Sequence, residues 1–397
     1  MPGTSDVRTA CMEQVRTDTH AHLSDRYPDL REQAEGWGDF ATTQGLIDSR
    51  ETAEGCRRLH GIDPGPFVRP EAPEALFDKA THLRKKGSWN AIEDALDHSN
   101  ISRQFCFCST KPENGRPFSG GPGRDRLSYL AYIDTAVNGS GQFPSPDLNA
   151  TSATYYENLC SEFGHLSSLG HYLDELDTAI DTWPGFGVVG MKSAMAYTSG
   201  LKVSNPSRDE ARSAFERRGD MSMADFHTVR DFAFHHALRA CLRNGLPVVI
   251  HTGFQIWGHA PLEQSNPSHL HNLIINPDYR DLTFVLLHGG NPYVGEMTYL
   301  AGMFENVILD FTWISWMTPV RFRFALSEWL ATVPHHKFCW GSDSGTPESI
   351  AGIDWITRGL IADVLEESIS DGIIDERYAM EFIENTYRKT ARRVFGV

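Results

Sequence analysis

The chain contains no apolar run of about eighteen residues or more, so no segment reads as a membrane helix. Its start lacks the basic-then-apolar pattern of a secretory leader, and the expected location is the cytoplasm, with no membrane partner. Positive charge is scarce. Lys and Arg number 36 against 52 Asp and Glu, a formal net charge of -16, and no basic stripe appears. Neutralising phosphates needs such a face, so nucleic acid is excluded as a partner. Cysteine is sparse and odd in number: the seven residues Cys11, Cys56, Cys106, Cys108, Cys160, Cys241 and Cys339 are scattered, which excludes a secreted disulfide framework. Cys106 and Cys108 fall in an apolar run at the wrong spacing for a zinc knuckle and read as buried thiols. Tandem repeats and low-complexity tails are missing too, which favours one elaborated domain over 1–397.

A hydrophobic fraction of 40% with 34 Gly and 21 Pro describes a globular protein with a sizeable core. Eight short, mostly apolar segments bounded by turn residues are legible. They run from Gln14 to His20, Ile101 to Cys108, Leu127 to Asp134, Gly187 to Ser193, Pro247 to Thr252, Thr283 to His288, Val307 to Thr312 and Lys337 to Ser342. Most lack clean alternation, as expected of parallel strands covered on both faces. Between them lie stretches of helical spacing: Tyr155 to Asp181, Met223 to Asn244, and Arg321 to Val333 after Pro319. Two further helices, Ile350 to Ser370 and Asp375 to Phe395, close the chain. The repeated strand-helix order predicts an α/β fold, a (β/α)8 TIM barrel. Leu30 to Asn100, long, polar and broken by Pro64, Pro66, Pro70 and Pro73, reads as a helical and loop insertion after strand one. It is the expected lid region, together with the Gly/Pro-rich stretch from Lys111 to Asp125.

In a βα barrel the active site forms where strands end, so ligand-type residues at strand ends are the ones to weigh. Asp18-Thr19-His20-Ala21-His22 puts two imidazoles two residues apart, and strand side chains two apart share a face. Alone, such a pair is often structural. Here the fourth segment also ends in Lys192, the fifth in His251, the sixth in His288 and the eighth in Asp343. Five such endings on one rim point to a metal site.

The set resembles the amidohydrolase superfamily, over nearly the whole chain from Asp18 to the closing helices. Three groups of residues look like its FluG-related branch: Lys192-Ser193-Ala194-Met195-Ala196-Tyr197 with Gly200-Leu201, His251-Thr252-Gly253, and His288-Gly289-Gly290-Asn291-Pro292-Tyr293 with Glu296. Gly341-Ser342-Asp343-Ser344 belongs with them. The resemblance implies metal ligation by His20, His22, Lys192, His251, His288 and Asp343, and carboxylation of the strand-four lysine in binuclear members. Carboxylation makes physical sense, because a free ammonium beside two divalent ions would be repelled. A TIM-barrel nonheme diiron monooxygenase of platensimycin and platencin biosynthesis is similar to this branch. Its likeness implies O2 activation and hydroxylation of a bulky terpenoid-like substrate held as a coenzyme A thioester.

Glu296, eight residues beyond His288, is a helix-first-turn acid or an additional anionic ligand, and is grouped with Asp343 and Lys192 as a catalytic candidate. Phe254, Trp257, Trp313 and Trp316 fall at or just beyond strand ends and are the expected wall of a partly apolar substrate pocket. Arg84, Lys85 and Lys86 are candidates for a coenzyme A arm. Imidazole and carboxylate suit iron as well as zinc or manganese, so ligand type does not select the ion. Two mechanisms follow: oxygenation on two irons, the leading expectation, and hydrolysis of an amide or ester by metal-activated water. Decarboxylation or C–C cleavage stands third. The expected partners are a small-molecule substrate and a second copy of the chain.

Overall fold

The computed structural model describes residues 4–23, 30–36, 43–85, 87–111, 126–138, 152–255 and 260–397. Its eight strands follow one another around one sheet in chain order. They are β1 (Arg16–Ala21), β2 (Ile101–Cys108), β3 (Leu127–Tyr132), β4 (Val188–Ser193), β5 (Val248–Ile250), β6 (Phe284–Leu286), β7 (Val307–Asp310) and β8 (Phe338–Cys339). Seven fall inside segments expected from the sequence, and β1 runs one residue past the expected end at His20, to Ala21. Pairing is parallel along the series, as between β4 and β5 and between β5 and β6. The first strand returns to the eighth: Thr19 N–H donates to the Trp340 carbonyl at 3.1 Å, and Ala21 bridges Ser344. The fold is a (β/α)8 TIM barrel.

Two compact units make up the chain. One holds Met1–Cys106, Arg116–Ser128 and Phe311–Arg393, and thus β1 and β8; the other holds Phe107–Gly115, Tyr129–Asp310 and Val394–Val397, and thus β4 to β7. In the first, every side chain of β1 is buried although only Ala21 is apolar. Burying Arg16, Asp18 and His20 costs desolvation that only specific partners can offset. Arg16 finds Asp354 at 2.7 Å and the Ser99 carbonyl at 2.6 Å, and Thr19 Oγ1 donates to the Trp340 carbonyl at 2.9 Å. A strand this polar in a barrel core reads as a site rather than as packing. The insertion is helical where described, with helices Leu30–Gly36, Thr43–His60, Glu74–Lys85 and Ser88–His98. Leu30, Ala53, Cys56, Leu76 and Phe77 give it a small core.

In the second unit, β5 and β6 are short apolar strands buried throughout, Val248-Val249-Ile250 and Phe284-Val285-Leu286. The stretch expected as one helix from Tyr155 to Asp181 is two, Ser152–Phe163 and Leu169–Thr182. Gly164, at φ 80, ends the first, and the Ser168 side chain caps the second by accepting from His171 N–H. In the first unit the final helix likewise departs from regularity: Asn385–Lys389 forms a π-helical turn between Glu376–Glu384 and Thr390–Phe395. Among the described residues, no helix is long and apolar enough to cross a membrane.

Candidate metal centre

His20 is the fifth residue of β1, and His22 follows it in still-extended chain, its N–H donating to the Ser344 carbonyl at 2.9 Å. The two imidazole rings lie with their centroids 5.5 Å apart. Asp343 arrives from the segment after β8, where its N–H donates to the His20 carbonyl at 2.8 Å. Its Oδ1 lies 3.3 Å from His20 Nε2 and 2.9 Å from His22 Nε2. One ligand atom from each of the three lies within 4.8 Å of the others, the one such group of His, Cys, Asp and Glu among the described residues. His20 is buried, whereas the His22 side chain is 42% exposed, which leaves the group a route to solvent. Burial alone would raise the Asp343 carboxyl, but the charges and hydrogen bonds of His20 and His22 hold it well below the usual carboxylate range. Asp343 also adopts φ 58, left-handed backbone that a non-glycine residue takes only where its surroundings impose it.

Those surroundings include Asp18. It is fully buried, and it accepts from Ser342 N–H at 2.8 Å, Ser342 Oγ at 2.6 Å, Gln104 Nε2 at 2.7 Å and His20 N–H at 3.2 Å. Burial pushes its carboxyl up to about 7 against the pull of these donors. Asp18 was not singled out from the sequence as a site residue, yet the signal was there. It opens the motif Asp18-Thr19-His20-Ala21-His22, two residues before the first imidazole. Trp316, expected in a pocket wall, is buried, and its indole N–H donates to the Ser342 carbonyl at 3.1 Å. Trp313 is buried as well, at 2% exposure. Trp257 lies outside the described residues.

The second unit gathers its own group. His251 directly follows β5, and His288 stands two residues beyond β6 at φ 67. His288 Nε2 and His251 Nδ1 are 2.8 Å apart. His251 Nε2 lies 2.7 Å from the Phe254 carbonyl oxygen, which can only accept, so the Nε2 hydrogen is fixed there and Nδ1 keeps its lone pair. Phe254, half-buried, thus contributes its backbone. The Tyr197 ring stacks obliquely on His251, centroid to centroid 4.4 Å. Lys192 is buried within β4, its Nζ 6.0 Å from the Phe107 ring centroid. Next to it, Asp134 accepts from Ser193 Oγ at 2.8 Å and Ala194 N–H at 2.5 Å. Burial raises the Asp134 carboxyl, opposed by these bonds and by the Lys192 charge. Asp134 closes the third segment expected from the sequence but was given no site role there, and no local pattern says that it reaches the end of β4. Glu296 sits in the first turn of the helix Val294–Met303 and accepts from Asn266 Nδ2 at 3.3 Å. Of the basic run offered for coenzyme A, Arg84 is turned instead onto the buried Glu348, and Lys86 lies outside the described residues.

Comparison with known proteins gives these groups a context. Residues 175–397 match the family described as Amidohydrolase. The protein FluG of Emericella nidulans is 31% identical over 278 residues, which is 64% of this chain and 29% of that relative. The chain thus spans under a third of FluG's length. A Lactobacillus casei ATCC 334 protein assigned as a metal-dependent hydrolase superposes with a TM-score of 0.71 at 15% identity, over 97% of this chain and 96% of its own. A uronate isomerase of Bacillus halodurans C-125 does so with a TM-score of 0.71 at 15% identity, over 99% and 96%. At such identity the two structures share the fold with this chain.

Proposed function

The chain belongs to the amidohydrolase family, as a metal-dependent TIM-barrel enzyme of the FluG-like branch, and from that premise we propose that it hydrolyses an amide or ester bond of a small molecule. The observation that carries the proposal is the meeting of His20, His22 and Asp343 within 4.8 Å. Two imidazole nitrogens and one carboxylate oxygen suit a divalent ion such as zinc, manganese or iron, and no thiolate enters the group. Lys192, His251 and His288 are the further ligands that the family resemblance adds.

When bound, a divalent ion supplies Lewis acidity and lowers the pKa of a bound water from 15.7 to about 7. Asp343, the carboxylate that meets both imidazoles, is the group able to receive the proton that water gives up. Asp18 and Trp316 keep the Asp343 arm in place through Ser342. The Phe254 carbonyl holds His251 in the tautomer whose Nδ1 can donate its lone pair.

The test is metal analysis of the purified protein followed by assay on amides, esters and lactones, with oxygen uptake and CO2 release followed in parallel. The expected result is bound divalent metal and oxygen-independent hydrolysis that a chelator abolishes and metal restores. Hydrolysis that survives complete metal removal overturns the proposal. So does product formation matched by oxygen consumption, which would return the oxygenase to first place.

A further inference from the structure

The inserted helix Thr43–His60 packs on the long helix Pro347–Ser370, which begins just beyond Asp343. At the crossing a Cβ on Gly55 would stand 1.8 Å from the Glu348 carbonyl oxygen, and one on Gly352 1.8 Å from that of Glu51. The two backbones touch, with no space for a side chain between them. The joint is fastened by Glu348, a fully buried carboxylate that Arg84 clasps with both terminal nitrogens at 2.8 Å and His60 Nε2 approaches at 2.9 Å. A second fastening lies toward the strand ends. Arg50 Nη2 donates to the Trp316 carbonyl at 3.1 Å, the Trp316 indole N–H donates to the Ser342 carbonyl at 3.1 Å, and Ser342 gives its N–H and O–H to Asp18.

Ser342 is thus gripped at its amide, its hydroxyl and its carbonyl, and the next residue is Asp343 in left-handed backbone. Strained backbone persists only where neighbours over-determine it. Here the neighbours lead to the insertion from both sides: through Trp316 before Asp343, and through Glu348 after it. We infer that the helix Thr43–His60 is a fixed brace for the His20, His22 and Asp343 group, with Trp316 and Glu348 as positioning residues that set where the Asp343 carboxylate meets the metal. The inference rests on the reading that this group holds a metal. It assigns the described helices of the insertion a fixed structural duty in place of a moving one.

The experiment is a Co2+ titration of the full chain, stripped of metal and followed by the visible d–d absorption, for wild type, Trp316→Phe, Glu348→Gln and His22→Ala. Ile180→Val, a buried truncation in the other unit, serves as a stability control. Thermal unfolding is recorded for each, and titrations run well below every midpoint. Trp316→Phe keeps a six-membered aromatic ring but removes the indole N–H together with the five-membered ring, so the small cavity it leaves is weighed against the buried truncation in the control. The expected result is a Co2+ Kd raised about 10- to 100-fold in both brace variants, with an altered d–d band, as for loss of outer-shell partners of a metal ligand. The control keeps the wild-type Kd and band. Lower unfolding midpoints with unchanged Kd and band in the brace variants would overturn the inference and leave both residues merely structural. If Glu348→Gln does not fold, Trp316→Phe decides alone. Failure of wild type to take up Co2+, or uptake by His22→Ala as tight as wild type, would sink the metal reading itself and the brace with it.

Discussion

His288 Nε2 lies 2.8 Å from His251 Nδ1, while the other His251 nitrogen faces the Phe254 carbonyl oxygen at 2.7 Å. With the Nε2 hydrogen committed to Phe254, the His251 lone pair is available either to His288 or to a cation. A metal entering this group must take both rings together. His251→Ala and His288→Ala are each expected to weaken Zn2+ binding by at least about 10-fold, and the double variant little more than either one. Calorimetric titration of the four proteins checks this. Strictly additive losses would show that the two rings do not serve one ion.

Asp18 is the partner on which the β1 and β8 ends depend. Asp18→Asn turns one acceptor oxygen into a donor facing N–H and O–H groups that are already donors. The expected cost is about 1–3 kcal/mol of unfolding free energy, the range for leaving a buried polar group unsatisfied. Urea unfolding measures it, and a change below about 0.5 kcal/mol would show that Asp18 is not the buttress described.

Glu348 makes acid stability specific to one residue. Arg84 and His60 overcome burial and hold its carboxyl at about 2, below the ordinary 4.5 it has in an unfolded chain. The unfolded state therefore takes up the proton first as pH falls. The stabilisation, on the order of 3 kcal/mol, is complete above about pH 4.5 and is lost as pH drops toward 2. Wild type should exceed Glu348→Gln by that order at pH 7 and converge on it in acid. A gap independent of pH between 7 and 3, followed by chemical denaturation, would contradict the assignment.

Lys192 and Glu296 separate two sources of anionic charge. If Lys192 is carboxylated, metal loading at limiting ion concentration should rise with added bicarbonate in wild type and not in Lys192→Gln. Glu296→Gln should keep its full metal content, because that carboxylate is engaged with Asn266. Metal analysis of the three proteins at two bicarbonate levels distinguishes the cases. A drop in metal content in Glu296→Gln alone would make Glu296 the missing ligand.

Much of the barrel was legible because buried parallel strands leave a local trace. Val248-Val249-Ile250 and Phe284-Val285-Leu286 read as short apolar runs, and runs like these mark the strands of the sheet. Helix breaks were harder. Gly164 interrupts a helical pattern that continues on either side of it, and periodicity alone joined the two halves. Side-chain orientation at strand ends was not legible either: composition places Trp316 near the rim but does not say whether its indole N–H faces a substrate or the Ser342 carbonyl.

By itself the sequence determined the strand count, their order and the pairing of His20 with His22, because period-two alternation and apolar burial act over a few neighbouring residues. Only the tertiary structure decided that Asp343 meets His22 at 2.9 Å, that Asp134 supports Ser193, and that Arg84 and His60 close on Glu348. Those contacts join residues tens to hundreds of positions apart. They are set by strand register, by a left-handed residue and by the close crossing of two helices, none of which a local pattern encodes.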